Sequence, residues 1–171
     1  MEKREKKISV KKNSVKFRSA KSIEKEEIKW TPQMSVNDSK IDGQHIKILN
    51  EIELLKENIN SDDPLSKTRE VIHFLSVYIK EHLDYEEIYM KAHNYPYFES
   101  HKRQHDYFRE EYRKFNEGLS AVLMNKLIVN NILRDYLKKL LDFLVEWWIN
   151  HIAISDHMYA DYIKKHEKMK T

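Results

Sequence analysis

An all-α fold, arranged as an antiparallel up-down four-helix bundle, is what three features of this sequence predict. Its 171 residues include only two glycines and three prolines, too few for the many corners of a sheet. Leu, Lys and Glu are plentiful, and such side chains lose little freedom on entering a helix. The prolines Pro32, Pro64 and Pro96 fall between stretches of helical periodicity, where a missing N–H and a fixed φ disturb nothing.

Taken in order, the chain opens with a basic arm, residues 1–29, in which eleven Lys/Arg stand against five Glu. Residues 30–171 carry twenty against twenty-three, so the basic excess belongs to the arm alone. Charged residues interrupt Ile8, Val10, Val15 and Phe17, and the arm is expected to be disordered and solvated. No partner for it and no specific nucleic-acid site are legible.

Residues 30–171 form the bundle. Ile46, Leu49, Ile52 and Leu55 recur at three-residue spacing and predict a first helix from Asp42 to about Ile59. Asp63 and Pro64 read as the N-cap and first-turn proline of a second, which carries Val71, Leu75, Tyr78, His82 and Glu86 toward Lys91. His93-Asn94-Tyr95-Pro96 ends it, and a third helix runs from there to around Gly118 or a few residues beyond. The fourth begins near Leu127 and continues through Leu133, Leu137, Leu140, Leu144 and Trp148 to at least His151. Four helices joined by short links imply antiparallel neighbours.

Composition narrows the chemistry. With no cysteine, disulfides, iron–sulfur clusters, thiolate zinc sites and cysteine nucleophiles are excluded, so any metal must be held by N and O. Charged residues make up 35%, and no apolar run approaches the roughly 20 residues of a membrane span. The start of the sequence lacks the apolar core of a secretory signal, and a cytoplasmic location is expected.

Residues with metal-binding character recur on every helix. His82 and Glu86 are four apart, about 40° around a helix and one turn along it, and His101 and His105 repeat that spacing. The last helix adds His151 and Asp156, and the first offers His45 after Gly43-Gln44. Any one of these could be a surface histidine or an i,i+4 helix pair. Five histidines and two carboxylates brought together inside a bundle would instead be destabilising by several kcal/mol unless something satisfied them. Metal coordination does so.

These residues resemble the hemerythrin family in its bacterial single-domain form. The likeness starts at Trp30 and runs through Ser35-Val36 and Ile41-Asp42-Gly43-Gln44-His45. It continues with His82-Leu83-Asp84-Tyr85-Glu86-Glu87, Met90, Tyr95-Pro96, His101 and His105. It closes on Trp147, His151-Ile152, Asp156 and Tyr159, and so covers roughly residues 30 to 160.

The resemblance implies a non-haem diiron centre with a bridging oxide or hydroxide. His101, His105 and His151 would hold one iron, His45 and His82 the other, and Glu86 and Asp156 would bridge. Two six-coordinate ions need about twelve donor bonds, and this set with the bridging oxygen leaves one position open, which suits a single diatomic ligand. The function implied is reversible binding of dioxygen for storage, delivery or scavenging, with no turnover and hence no enzyme. Alternatives are a sensor or adaptor for oxygen or nitric oxide, and a peroxidase-like or iron-oxidising enzyme built on the same centre.

Two departures stand out. Trp148, one turn before His151, takes a place beside the oxygen pocket where family members more often carry an aliphatic residue. The five-residue step from His151 to Asp156 separates their side chains by about 140° on an ideal helix, so a π-bulge or unwound turn is required. His73, His93, His157 and His166 are set aside as ligands, because each points away from the site or lies too far along its helix.

Overall fold

The computed structural model describes residues 27–62, 64–124 and 130–168. A short 3-10 turn, Pro32–Met34, leads into α1 (Ser39–Ile59). Then come α2 (Pro64–Ala92), α3 (Phe98–Met124) and α4 (Asn130–Asn150), a π-turn over His151–Asp156, and α5 (His157–Glu167). Each long helix packs on its sequence neighbours and α4 returns to α1, which closes the up-down bundle. No strand occurs among the described residues. The expected N-cap Asp63, the start of the fourth helix near Leu127 and arm residues 1–26 lie outside the described residues.

Helix boundaries follow local chemistry. α1 starts three residues before the expected Asp42, because the Asp38 carboxylate accepts from the Lys40 and Ile41 amides, each at 2.9 Å. Asp42 instead ties the preceding segment down, accepting from Ser35 Oγ at 2.6 Å and Val36 N at 2.9 Å. α2 ends where Asn94 turns left-handed at φ 52°. The Tyr95 amide bonds back to Met90 O and the Asn94 amide to Lys91 O, each at 3.0 Å, a Schellman closure that Pro96 then seals.

The apolar stripe of α1 corrects one expectation. Ile46 is exposed, because steps of three fall short of the 3.6-residue period and drift around the helix. The buried face follows Ile41, His45, Ile48, Leu49, Ile52, Leu55 and Ile59.

The interior divides into two apolar bodies. The larger joins Ile48, Leu49 and Ile52 of α1 with Leu75 and Leu83 of α2, Phe108 of α3, and Leu137, Leu140, Leu144 and Trp148 of α4. The smaller gathers Val36, Ile41, Met90, Tyr95, Tyr159 and Ile163. On α1, His45 lies between Ile41 and Ile48, and on α2, Glu86 lies between Leu83 and Met90. A polar layer is thus sandwiched between two apolar ones.

The far end of the bundle is closed by Arg134 of α4. Its guanidinium donates to Ile59 O at 2.9 Å and Ser61 O at 2.6 Å, satisfying carbonyls at the C-terminus of α1. Arg134→Ala is expected to lower stability in urea unfolding by about 2 kcal/mol, the usual cost of losing a charged hydrogen-bond donor. Arg134→Lys, which cannot span both carbonyls with a planar fork, is expected to recover less than half of that.

Candidate metal centre

Three long helices, α1 to α3, and the π-turn that follows α4 contribute side chains to the polar layer. His45 comes from the second turn of α1, His82 and Glu86 from α2, and His101 and His105 from α3. His151 and Asp156 stand at the two ends of the π-turn. Each of these residues is 3% exposed or less.

Their donor atoms fall into two groups, Glu86 with His101, His105 and His151, and Glu86 with His45 and His82. Within the first, His105 Nε2 and His151 Nε2 are 3.1 Å apart, and Glu86 Oε2 lies 3.4 Å from His105 Nε2. Adjacent donors on an octahedral ion bonded at about 2.1 Å lie about 3.0 Å apart, so these separations fit one shared ion. Asp156 faces both groups. Its Oδ1 is 3.1 Å from His151 Nε2 and 3.4 Å from His101 Nε2, whereas its Oδ2 is 3.3 Å from His45 Nε2.

The π-turn makes this possible. Five α-helical residues would leave His151 and Asp156 about 140° apart, whereas a π-turn of roughly 4.4 residues brings them to about 50°. His151, Ile152, Ser155 and Asp156 therefore all face inward. Ala153 and Ile154 take up the extra backbone on the solvent side.

Chemical fit can be judged from atoms left without hydrogen bonds. His45 Nε2, His82 Nε2, Glu86 Oε2, His101 Nε2 and both Asp156 oxygens are buried and unpartnered. Each such atom costs about 1–3 kcal/mol, and a cation bonded to all of them removes the cost at once. The donor set of imidazole and carboxylate suits a divalent or trivalent transition metal.

Protonation states agree with that role. Burial lowers His82 to about 3 and also lowers His151, keeping both imidazoles neutral and able to ligate. Burial likewise opposes charge on His45 and His105, but Asp156 beside the first and Glu86 and Glu87 beside the second outweigh it and raise both. Burial would raise Glu86, yet the imidazoles gathered around it, those of His82, His101, His105 and His151, outweigh this and hold it well below the usual carboxylate range. The carboxylates thus favour protons on the imidazoles beside them, and metal uptake competes with those protons.

Three further residues support the layer. Tyr159 donates from its hydroxyl to Glu86 Oε1 at 2.6 Å, and burial keeps it a phenol. His82 Nδ1 meets Gln44 Oε1 at 3.1 Å, and His105 Nδ1 meets Glu87 Oε1 at 3.1 Å. The sequence reading assigned none of the three a role, although each lies in a motif that carries a candidate ligand. Trp148, fully buried, sets its ring 5.3 Å from His82 and 5.6 Å from Phe108.

The other histidines stay outside the cluster. His73 is exposed, and His166 is exposed and stacks on Tyr162. His93 lies beside Tyr89, with its Nδ1 2.8 Å from that residue's carbonyl. His157 is half-buried and joins neither donor group.

Residues 37–163 match the family model described as the hemerythrin HHE cation binding domain. A bacteriohemerythrin of Clostridium acetobutylicum is 30% identical over 137 residues, which cover 77% of this chain and 98% of that protein. A bacteriohemerythrin of Stenotrophomonas maltophilia is 28% identical over 144 residues, covering 80% of this chain and 82% of its own.

Proposed function

The chain belongs to the hemerythrin family, and we propose that its buried centre holds two non-haem iron ions and binds dioxygen reversibly. The observation that carries this reading is the division of the donors into two groups that share Glu86, with the oxygens of Asp156 turned one toward each. His101, His105 and His151 would hold one ion and His45 and His82 the other, with Glu86 and Asp156 between them. Five imidazole nitrogens, four carboxylate oxygens and a bridging oxide or hydroxide leave one of about twelve positions open. That position would fall on the side with two histidines and would take a single diatomic molecule. Nitric oxide would compete for the same place.

When bound, the iron pair supplies the electrons that dioxygen takes up on binding and returns on release. The chain does the rest. Tyr159 holds the Glu86 carboxylate in place through Oε1. Neutral His82 offers a lone pair, and Trp148 covers the His82 side with an apolar ring. Excluding water from such a layer strengthens every interaction within it and limits proton leakage. Uptake and release without turnover make this a binding protein and not an enzyme. No helix among the described residues is long and apolar enough to cross a membrane.

The test is anaerobic iron loading, then oxygen addition and removal, with iron content and visible absorption recorded throughout. About two irons per chain are expected, as are a visible band that forms with oxygen and its disappearance under vacuum. A band that never forms, or that collapses at once to a stable oxidised spectrum, would remove reversible carriage and favour a sensing or enzymatic use of the centre.

A further inference from the structure

The two halves of the centre are backed by acceptors of different charge. His105 Nδ1 and His82 Nδ1 each lie 3.1 Å from an oxygen, but the first belongs to the Glu87 carboxylate and the second to the Gln44 amide. Equal distances leave charge as the difference. Arg109 pins Glu87, donating to the same Oε1 at 2.7 Å. Its own charge is offset by Asp84 at 2.9 Å and Asp106 at 3.2 Å. The guanidinium at 2.7 Å makes Glu87 an ion-paired carboxylate, whereas the Gln44 amide carries no charge.

We propose that Glu87 and Gln44 are positioning residues that make the two iron positions electronically unequal, the carboxylate behind His105 favouring the higher oxidation state of its ion more than the amide behind His82 does. This rests on the iron-holding reading above. A neutral imidazole carries one N–H, and an acceptor at Nδ1 fixes the lone pair on Nε2, facing the cluster. A carboxylate draws that proton more strongly than an amide and makes Nε2 the better electron donor. A better donor stabilises a ferric ion more than a ferrous one, because the charge it meets is larger. The half with three histidines is therefore the readier electron source, and the half with the open position keeps the stronger Lewis acid for oxygen.

Two variants separate charge from hydrogen bonding. Glu87→Gln keeps the volume and an acceptor oxygen but drops the charge, whereas Gln44→Glu adds charge behind His82. In anaerobic spectroelectrochemical titration of the iron-loaded protein, Glu87→Gln is expected to weaken the preference for ferric iron about tenfold, raising the potential by about 59 mV. Gln44→Glu is expected to shift it by a similar amount in the opposite direction. Potentials that stay at the parent value, or that move in the same direction, overturn the proposal, since a merely structural role would lower iron content alone. Independently, nitrogen-15 NMR of the metal-free parent at alkaline pH is expected to show His82 and His105 protonated at Nδ1. Protonation at Nε2 of either ring overturns the proposal whether or not a variant retains iron. Neither readout uses oxygen, so a centre that holds iron but fails to bind oxygen reversibly leaves this test standing.

Discussion

Glu86→Gln is expected to reduce iron content from about two per chain to below one while leaving the helical circular dichroism of the metal-free protein unchanged. Glu86 is the residue common to both donor groups. Its Oε2 lies 3.4 Å from His105 Nε2 and 3.7 Å from His82 Nε2, and its Oε1 lies 3.8 Å from His45 Nε2. Glutamine has nearly the same volume, so packing against Leu83 and Met90 survives. One carboxylate oxygen becomes an amide nitrogen, however, and an amide cannot bond two cations with its two ends. The remaining amide oxygen can still accept from Tyr159, which preserves the local fold. Inductively coupled plasma measurement of iron after anaerobic loading checks the first half of the expectation, and thermal unfolding of the metal-free variant checks the second. Because the folded protein holds Glu86 below the usual carboxylate range, its charge contributes stability at neutral pH, and the metal-free variant is expected to keep its helical content but melt below the parent. Full iron content in Glu86→Gln would show that the two ions do not share this side chain.

Most of the bundle was legible because helices announce themselves locally. Proline positions, apolar periodicity and capping residues act within a few residues of one another, and the four helices follow from them. The spacing of the candidate ligands was legible for the same reason, since His82 with Glu86 and His101 with His105 are pairs on single helices. Even the π-turn could be inferred, because His151 and Asp156 cannot share a face of an α-helix at a separation of five. Contacts between helices carried no such signal. Gln44 meets His82 across 38 residues, Glu87 meets His105 across 18, and Arg134 caps Ile59 across 75. Nothing local marks such a polar residue as an acceptor for one particular ring until packing brings them together. Ile46 shows the opposite error, where a regular spacing of three suggested a stripe that the true helical period carries out to solvent.

Trp148→Leu is expected to leave iron content unchanged and to speed spontaneous oxidation of the oxygen-loaded protein about tenfold, a change of about 1.4 kcal/mol in barrier. In the parent the indole is fully buried, 5.3 Å from the His82 ring and 5.0 Å from Trp147. Replacing it with leucine leaves unfilled space beside His82 and loses packing worth about 2–3 kcal/mol. Against that, the buried Trp148 Nε1 has no hydrogen-bond partner, and deleting such an orphan returns about 1–3 kcal/mol. The two terms nearly cancel, so the melting temperature should change little even though the pocket does. What changes is access. Space next to His82 admits water to the His45 and His82 side of the centre, where the proposed function puts the oxygen, and water carries the proton that oxidation with loss of reduced oxygen requires. Stopped-flow and long-term absorption records at fixed oxygen measure affinity and oxidation rate separately. A faster oxidation at nearly constant affinity identifies Trp148 as a shield. An unchanged oxidation rate with tighter oxygen binding would identify it instead as an obstruction, with the drier pocket maintained by Phe108 and the leucines of α4.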